Sequence, residues 1–209
     1  MSNRRTKPIV IGAGIAAAAA LPAYYLLFRP WQVRWGATDE EVQRPMPGDG
    51  VVEGAWDIST RAITIQATPE DIWPWLAQMG YQRGGMYSYD WIDQLIGVLD
   101  RPSSWQILHE FQRLEPGDEI PMGHGPGWPV AAVEPLRSLV LDIREPGIHI
   151  TWSIGLYPLD ARHTRLVLRI RIHTLLRMRL ISLFPPADFG QFLMTRRMLL
   201  GIKERAEVT

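Results

Sequence analysis

A long amphipathic segment closes the chain after a run of strands, and it constrains the fold more than any other feature of the sequence. From Asp188 to Ala206, Phe189, Phe192, Leu193, Leu199, Leu200 and Ile202 recur near helical spacing. Asp188 is placed to cap the N-terminus, while Arg196, Arg197, Lys203 and Arg205 crowd the far end, where cations suit the helix dipole. The spacing predicts an amphipathic helix of about five turns. Nearly everything from Thr60 to Thr174 reads as short strands with two helical interruptions, and a sheet with one apolar face must be covered by something. The expected class is therefore α+β, a curved antiparallel sheet wrapped around a long C-terminal helix. Closure of that kind leaves an apolar hollow between sheet and helix, which is where a ligand belongs.

The strands are read from alternation. Ile63 and Ile65 share one face of Thr60 to Ala67, opposite Thr64 and Gln66. Ile148, Ile150, Trp152, Ile154 and Leu156 share a face later in the chain, as do Leu166, Leu168, Ile170 and Ile172, with Arg165, Arg169, Arg171 and His173 opposite them. Those two apolar faces should look at the terminal helix. Glu119 to Met122, Trp128 to Val133 and Ser138 to Ile143 supply the other strands. Between the first strand and these, Thr68 caps a helix opened by Pro69 and ending before Gly80. A second helix is expected over Ile92 to Leu99 and a short third over Ser103 to Phe111. Residues 36–59 are rich in Pro and Gly and read as a linker with one short helix at Asp39 to Gln43, so the domain proper is expected over residues 60–209.

This order of strand, helices, antiparallel strands and long last helix resembles the helix-grip arrangement of the START-like superfamily, also called SRPBCC. The stretches Trp35-Gly36-Ala37-Thr38, Arg61-Ala62-Ile63-Thr64-Ile65, Ile72-Trp73-Pro74-Trp75-Leu76, Tyr87-Ser88-Tyr89-Asp90-Trp91 and Met198-Leu199-Leu200-Gly201-Ile202-Lys203 look like a bacterial branch of it related to polyketide cyclases and dehydrases. The resemblance covers residues 36–207. It implies a fold and a cavity more than a reaction, and it carries no catalytic motif onto this chain.

Ahead of the linker, Arg4, Arg5 and Lys7 precede an uncharged run from Pro8 to Phe28, followed by Arg29. At about 1.5 Å per residue the run spans roughly the 30 Å of a bilayer core, so residues 1–35 are expected to be a membrane anchor with a transmembrane helix at 8–28. Tyr24, Tyr25, Trp31 and Trp35 stand at its exit, where aromatic rings favour the headgroup level. The expected disposition is single-pass with the N-terminus cytoplasmic. A cleaved signal peptide is the competing reading, since small residues surround Ala18 to Ala20. Residues 9–17 also fit a dinucleotide-binding glycine turn, but no second parallel strand follows and Pro22 interrupts the helix that should open there.

Zero formal net charge, from 22 basic and 22 acidic residues, removes the positive field that nucleic-acid binding requires. Without cysteine there is no thiolate chemistry, and no Gly-x-Ser-x-Gly elbow or His-Glu-x-x-His pair is present. The five histidines are scattered, so no metal and no cofactor are expected. His149 and His173 fall opposite the apolar faces, while His124 sits in a glycine-rich loop that could edge a cavity. The polar cluster with chemical potential is Tyr87, Tyr89 and Asp90, with Arg83 near: a phenol and a carboxylate facing an apolar hollow could orient a ligand's hydroxyl or carbonyl. A structural role is as physical, with Asp90 capping the following helix and the tyrosines packing. Trp152 and Phe192 are expected to line the hollow, completing a ligand-binding set of Tyr87, Tyr89, Asp90, Trp152 and Phe192. Two functions follow: a membrane-tethered binder or carrier of an apolar small molecule or lipid, or a cyclase- or dehydrase-like enzyme using the same cavity. Leu175 to Phe184, apolar but too short to span a bilayer, would form a lid that Pro185-Pro186 stops, with Arg177 and Arg179 toward anionic headgroups.

Overall fold

The computed structural model describes residues 20–176, 178–179 and 184–208. Six strands form one antiparallel sheet in the order β1-β6-β5-β4-β3-β2, with β1 at Asp57–Ile65, β2 at Glu119–Ile120, β3 at Trp128–Glu134, β4 at Ser138–Glu145, β5 at Ile148–Pro158 and β6 at Thr164–Thr174. The first and last strands pair, Arg61 opposite Leu168 and Ile63 opposite Leu166, so the sheet can wrap. The alternation read from the sequence is obeyed. Ile65, Leu166, Leu168, Ile170, Ile154 and Leu156 are all buried in one core with Met198, Leu199 and Ile202 of the terminal helix. Burying six such side chains supplies on the order of 10 kcal/mol of apolar transfer toward holding helix and sheet together.

The terminal helix, α5, runs over Pro185–Ala206 and so starts ahead of Asp188. Pro185 and Pro186 open it, because proline costs little in a first turn whose N–H groups have no intrahelical partner. Asp188 is consequently not the cap; Phe184 occupies that position. Helix α3 (Pro69–Ala77) follows the sequence reading, with Thr68 and Asp71 completing a reciprocal capping box. Helix α4 covers Asp90–Leu95, shorter and earlier than expected, and of the third helix only a 3-10 turn at His109–Phe111 forms.

Two corrections concern the N-terminal third. Residues 36–56 do not behave as a tether: helix α2 (Asp39–Gln43) forms with a Thr38–Glu41 capping box, and the rest lies against the outer face of the sheet with Met46 and Val52 buried. Arg169 fixes it there by donating to Glu41 O (2.6 Å), Val42 O (3.0 Å), Arg44 O (2.9 Å) and Asp49 Oδ2 (2.7 Å). The first strand begins at Asp57, three positions before Thr60.

Ahead of this, helix runs from residue 20 to 32, with a π-helical turn at Tyr24–Phe28 and α1 at Arg29–Gln32. Pro30 explains the wide turn: it has no N–H to offer Leu26, and its ring would strike that carbonyl in a regular α-helix. Residues 8–19 of the expected membrane span lie outside the described residues, and among those described no helix is long and apolar enough to cross a membrane. The end of the expected span is docked on the domain. Phe28 packs on Phe189 (5.6 Å between ring centroids), and Tyr24, placed by the sequence at headgroup level, donates to Asp188 instead at 2.8 Å. The dinucleotide-like turn at 9–17 and half of the expected lid, residues 177 and 180–183, also lie outside the described residues.

Candidate functional site

A half-open hollow does lie between the sheet and α5. It measures about 170 Å³ and its walls come from every layer: Trp128 and Trp152 from the sheet, Met194 and Met198 from α5, and Met86 and Met122 from the intervening loops. The strand register explains the tryptophans. Trp152 stands beside Leu141 of β4, Trp128 comes from the far side of that strand, and their rings meet edge to face at 4.7 Å. Four methionines give this wall a lining that can repack around different apolar shapes.

One ionisable group reaches the hollow. Asp93 of α4 lines it with Ser88, which donates to its carboxylate, and Asp93 is 3% exposed. Burial pushes its carboxyl above the usual aspartate range, opposed by the Ser88 hydrogen bond and assisted by the nearby charge of Asp90. Asp93 was not singled out in the sequence, and no simple pattern marks it, because α4 is turned inside out: Trp91, Leu95 and Ile96 are exposed while its aspartate is buried.

Of the expected set, only Trp152 lines this hollow. Tyr87 is fully buried but turned toward α3, donating its hydroxyl to Trp75 O at 3.0 Å and packing edge-on against Trp75. Its phenol pKa is driven up by burial, so it is held neutral as a structural donor. Asp90 neither enters the hollow nor caps α4; its Oδ1 accepts from Ser103 Oγ at 2.6 Å, and Tyr89 holds the cap position without a side-chain bond. Arg83 donates to Ala77 O at 2.8 Å and lies over the Phe111 ring. Phe192, 2% exposed, belongs to an aromatic cluster with Phe28, Trp31, Trp35 and Phe189 that clamps the N-terminal helix to α5. His124 meets Tyr81 at 3.3 Å, and His149 and His173 bond Asp142 and the Gly54 carbonyl on the outer face.

A second hollow, about 210 Å³, adjoins the first toward the start of α5 and is walled by Arg61, Ile170, Ile172, Asp188 and Gln191 among others. Gln191 borders both. A larger cleft of about 640 Å³ lies elsewhere, outside the sheet, where Pro45 and Pro47 approach the β3–β4 turn. It is lined by prolines and charged residues at the seam between the wrap and the sheet, and the hollow beside α5 is the better candidate because its lining is almost wholly apolar.

No family model and no curated protein matches the chain. Among solved structures it is similar to a protein from Mesorhizobium loti (16% identity, 73% of this chain and 98% of that one, TM-score 0.45). It is also similar to truncated norcoclaurine synthase from Thalictrum flavum (14%, 71% and 91%, TM-score 0.41) and to a polyketide cyclase-like protein from Corynebacterium glutamicum (14%, 72% and 91%, TM-score 0.36). At such identities they carry no ligand or reaction to this chain.

Proposed function

We propose that the protein binds a hydrophobic small molecule or lipid in the hollow between the sheet and α5 and holds it next to a membrane. The observation that carries the reading is the lining itself, two tryptophans and four methionines around a space closed by a long helix. Exposed Trp91, Leu95 and Ile96 on α4 support it, since Ile96 also lines the hollow and extends its apolar surface outward. Membrane tethering rests on the uncharged run 8–28 behind Arg4, Arg5 and Lys7, with the N-terminus cytoplasmic. Leu21, Leu26 and Leu27, exposed on the side of the helix away from α5, are consistent with it.

Acid–base catalysis of the cyclase or dehydrase kind is the second reading, and the placement of Asp93 is what favours it. A carboxyl whose pKa is raised by burial in an apolar hollow is suited to proton transfer. It lacks an ionisable partner across the hollow, which leaves the binding reading ahead.

The test is organic extraction of the full-length protein purified from membranes, followed by mass spectrometry, with Met198→Trp as the filled-hollow control. One apolar species should copurify with the parent and be lost from the variant. A clean extract from both, with no uptake of an added apolar fluorophore, would defeat the binding reading. Release of the protein from membranes by an alkaline wash would defeat the tether.

A further inference from the structure

The inner face of β1 turns polar toward its start, with Asp57, Ser59 and Arg61 on it, and Arg61 is the member buried deepest. Arg61 shares that face with Ile63 and Ile65, stands opposite Leu168, and is 1% exposed. A guanidinium carries five N–H donors, and burying it is costly unless they are met and the charge is paired. Arg61 Nε donates to Gln32 O at 3.0 Å and Nη2 to Gln191 Oε1 at 3.1 Å, but Nη1 is buried with no partner among the described residues. Both acceptors are neutral, and among the described residues Arg61 makes no ion pair.

The carboxylates in reach are already engaged. Asp57 is held by Arg29 at 2.7 Å; Asp188 takes Arg29 at 3.0 Å, Gln32 at 2.6 Å and Tyr24 at 2.8 Å. The contrast with Arg169 is informative, because that buried arginine has Thr60, three carbonyls and Asp49 around it. This chain evidently can satisfy a buried arginine, and at Arg61, whose guanidinium lies 5.4 Å from the Phe192 ring centroid, it leaves one buried nitrogen unmatched in a side chain that contributes to the wall of a hollow. Burial depresses the Arg61 pKa to about 10, with Asp188 and Asp57 opposing and Arg29 adding, so the group remains a cation near neutrality.

That hollow borders the apolar one, with Gln191 lining both. Trp152 and Ile170 are directly paired across β5 and β6, each walling one of the two, and the Gln191 side chain stands at the divide while bonding Arg61. Separately, at about 210 and 170 Å³, they fall short of the roughly 300 Å³ at which ligand pockets begin; joined past Gln191 they reach it. We infer that the two form one site for an anionic amphiphile, with Arg61 Nη1 taking the ligand carboxylate and the Trp128–Trp152–Met198 chamber its hydrocarbon.

This inference rests on the apolar-ligand reading and narrows it to a carboxylate-headed molecule. Octanoate and 1-octanol, which differ only at the head, separate the two in calorimetric titrations of the full-length protein and its Arg61→Gln variant. A charged hydrogen bond in a buried site should make octanoate bind roughly 10- to 100-fold tighter than octanol, in competition with it. Arg61→Gln should erase that gap and keep octanol affinity. Equal binding of the two by the parent protein, binding of octanoate that does not displace octanol, or a preference that survives Arg61→Gln would each overturn the Arg61 site while leaving the apolar reading standing. Binding of neither would overturn both. If Arg61→Gln fails to fold, the comparison on the parent protein still decides.

Discussion

Gly201→Ala should destabilise the protein even though it improves the helix. Glycine inside a helix costs about 1 kcal/mol relative to alanine, so propensity alone predicts a gain. The packing says otherwise: a Cβ at Gly201 would lie 2.0 Å from Tyr87 O and 2.9 Å from Tyr87 Cβ. Restoring an ordinary contact of about 3.4 Å to that carbonyl requires α5 and the Tyr87 turn to part by more than about 1 Å. Neither can yield cheaply. Leu199 and Ile202, on either side of Gly201, are buried in the core, and Tyr87 is held at φ 56° with its N–H on Ser103 Oγ and its hydroxyl on Trp75 O. Overpacking of this kind costs about 1–3 kcal/mol, and a backbone obstacle belongs at the upper end, leaving a net loss of about 1–2 kcal/mol after the helix gain. Gly190 is the internal control: it lies in the same helix with nothing near its would-be Cβ, so Gly190→Ala should gain up to about 1 kcal/mol. Urea unfolding followed by far-ultraviolet circular dichroism measures both. A Gly201→Ala protein as stable as the parent, or more so, would refute the claim that α5 rests directly on the Tyr87 turn.

Three further outcomes can be checked on the same footing. Phe192→Ala should cost about 3–5 kcal/mol in urea unfolding and expose the N-terminal helix to protease, whereas Trp152→Ala, which borders a hollow, should cost less. Arg169→Gln should cost about 3 kcal/mol, because Asp49 loses its cation and the carbonyls of Glu41, Val42 and Arg44 lose their donor; limited proteolysis should then cut within residues 36–56 first. Asp93→Asn should raise the melting temperature at neutral pH. Since the folded carboxyl titrates above its unfolded value, ionising it opposes folding as pH rises, so the gain should be greatest at neutral pH and fade below the ordinary aspartate value of 3.8. A gain independent of pH would show that Asp93 is not the titrating group.

What could be read from the sequence followed from periodicity. The strands of the sheet were legible because their inner positions repeat every second residue, and burial on one face leaves the register little freedom. The start of α5 was misplaced because a proline pair serves equally to end one helix or to begin the next, and only the chain's direction afterwards separates the two. The wrap of residues 36–56 was hidden for a different reason. Its Pro and Gly content describes the conformation of a backbone, and Arg169, whose placement on the outer strand face suggested solvent, is what gives that backbone a place to lie.

The site was least legible, since its chemistry departs from the pattern that revealed the sheet. Tyr87 and Asp90 were the polar residues nearest a predicted helix start, yet the fold uses both for its own hydrogen bonds. Arg61 had a visible signal, a charge two residues before Ile63 on a face otherwise given to the core. A cation in such a position must be compensated by the chain or by something the chain binds. The partners that Arg169 collects show what compensation by the chain looks like, and Nη1 of Arg61 lacks them. The proposed polar end of the ligand therefore lies where the period-2 apolar pattern breaks down on the inner face of β1, at Arg61, while the residues that keep the pattern build the wall against which the rest of the ligand lies.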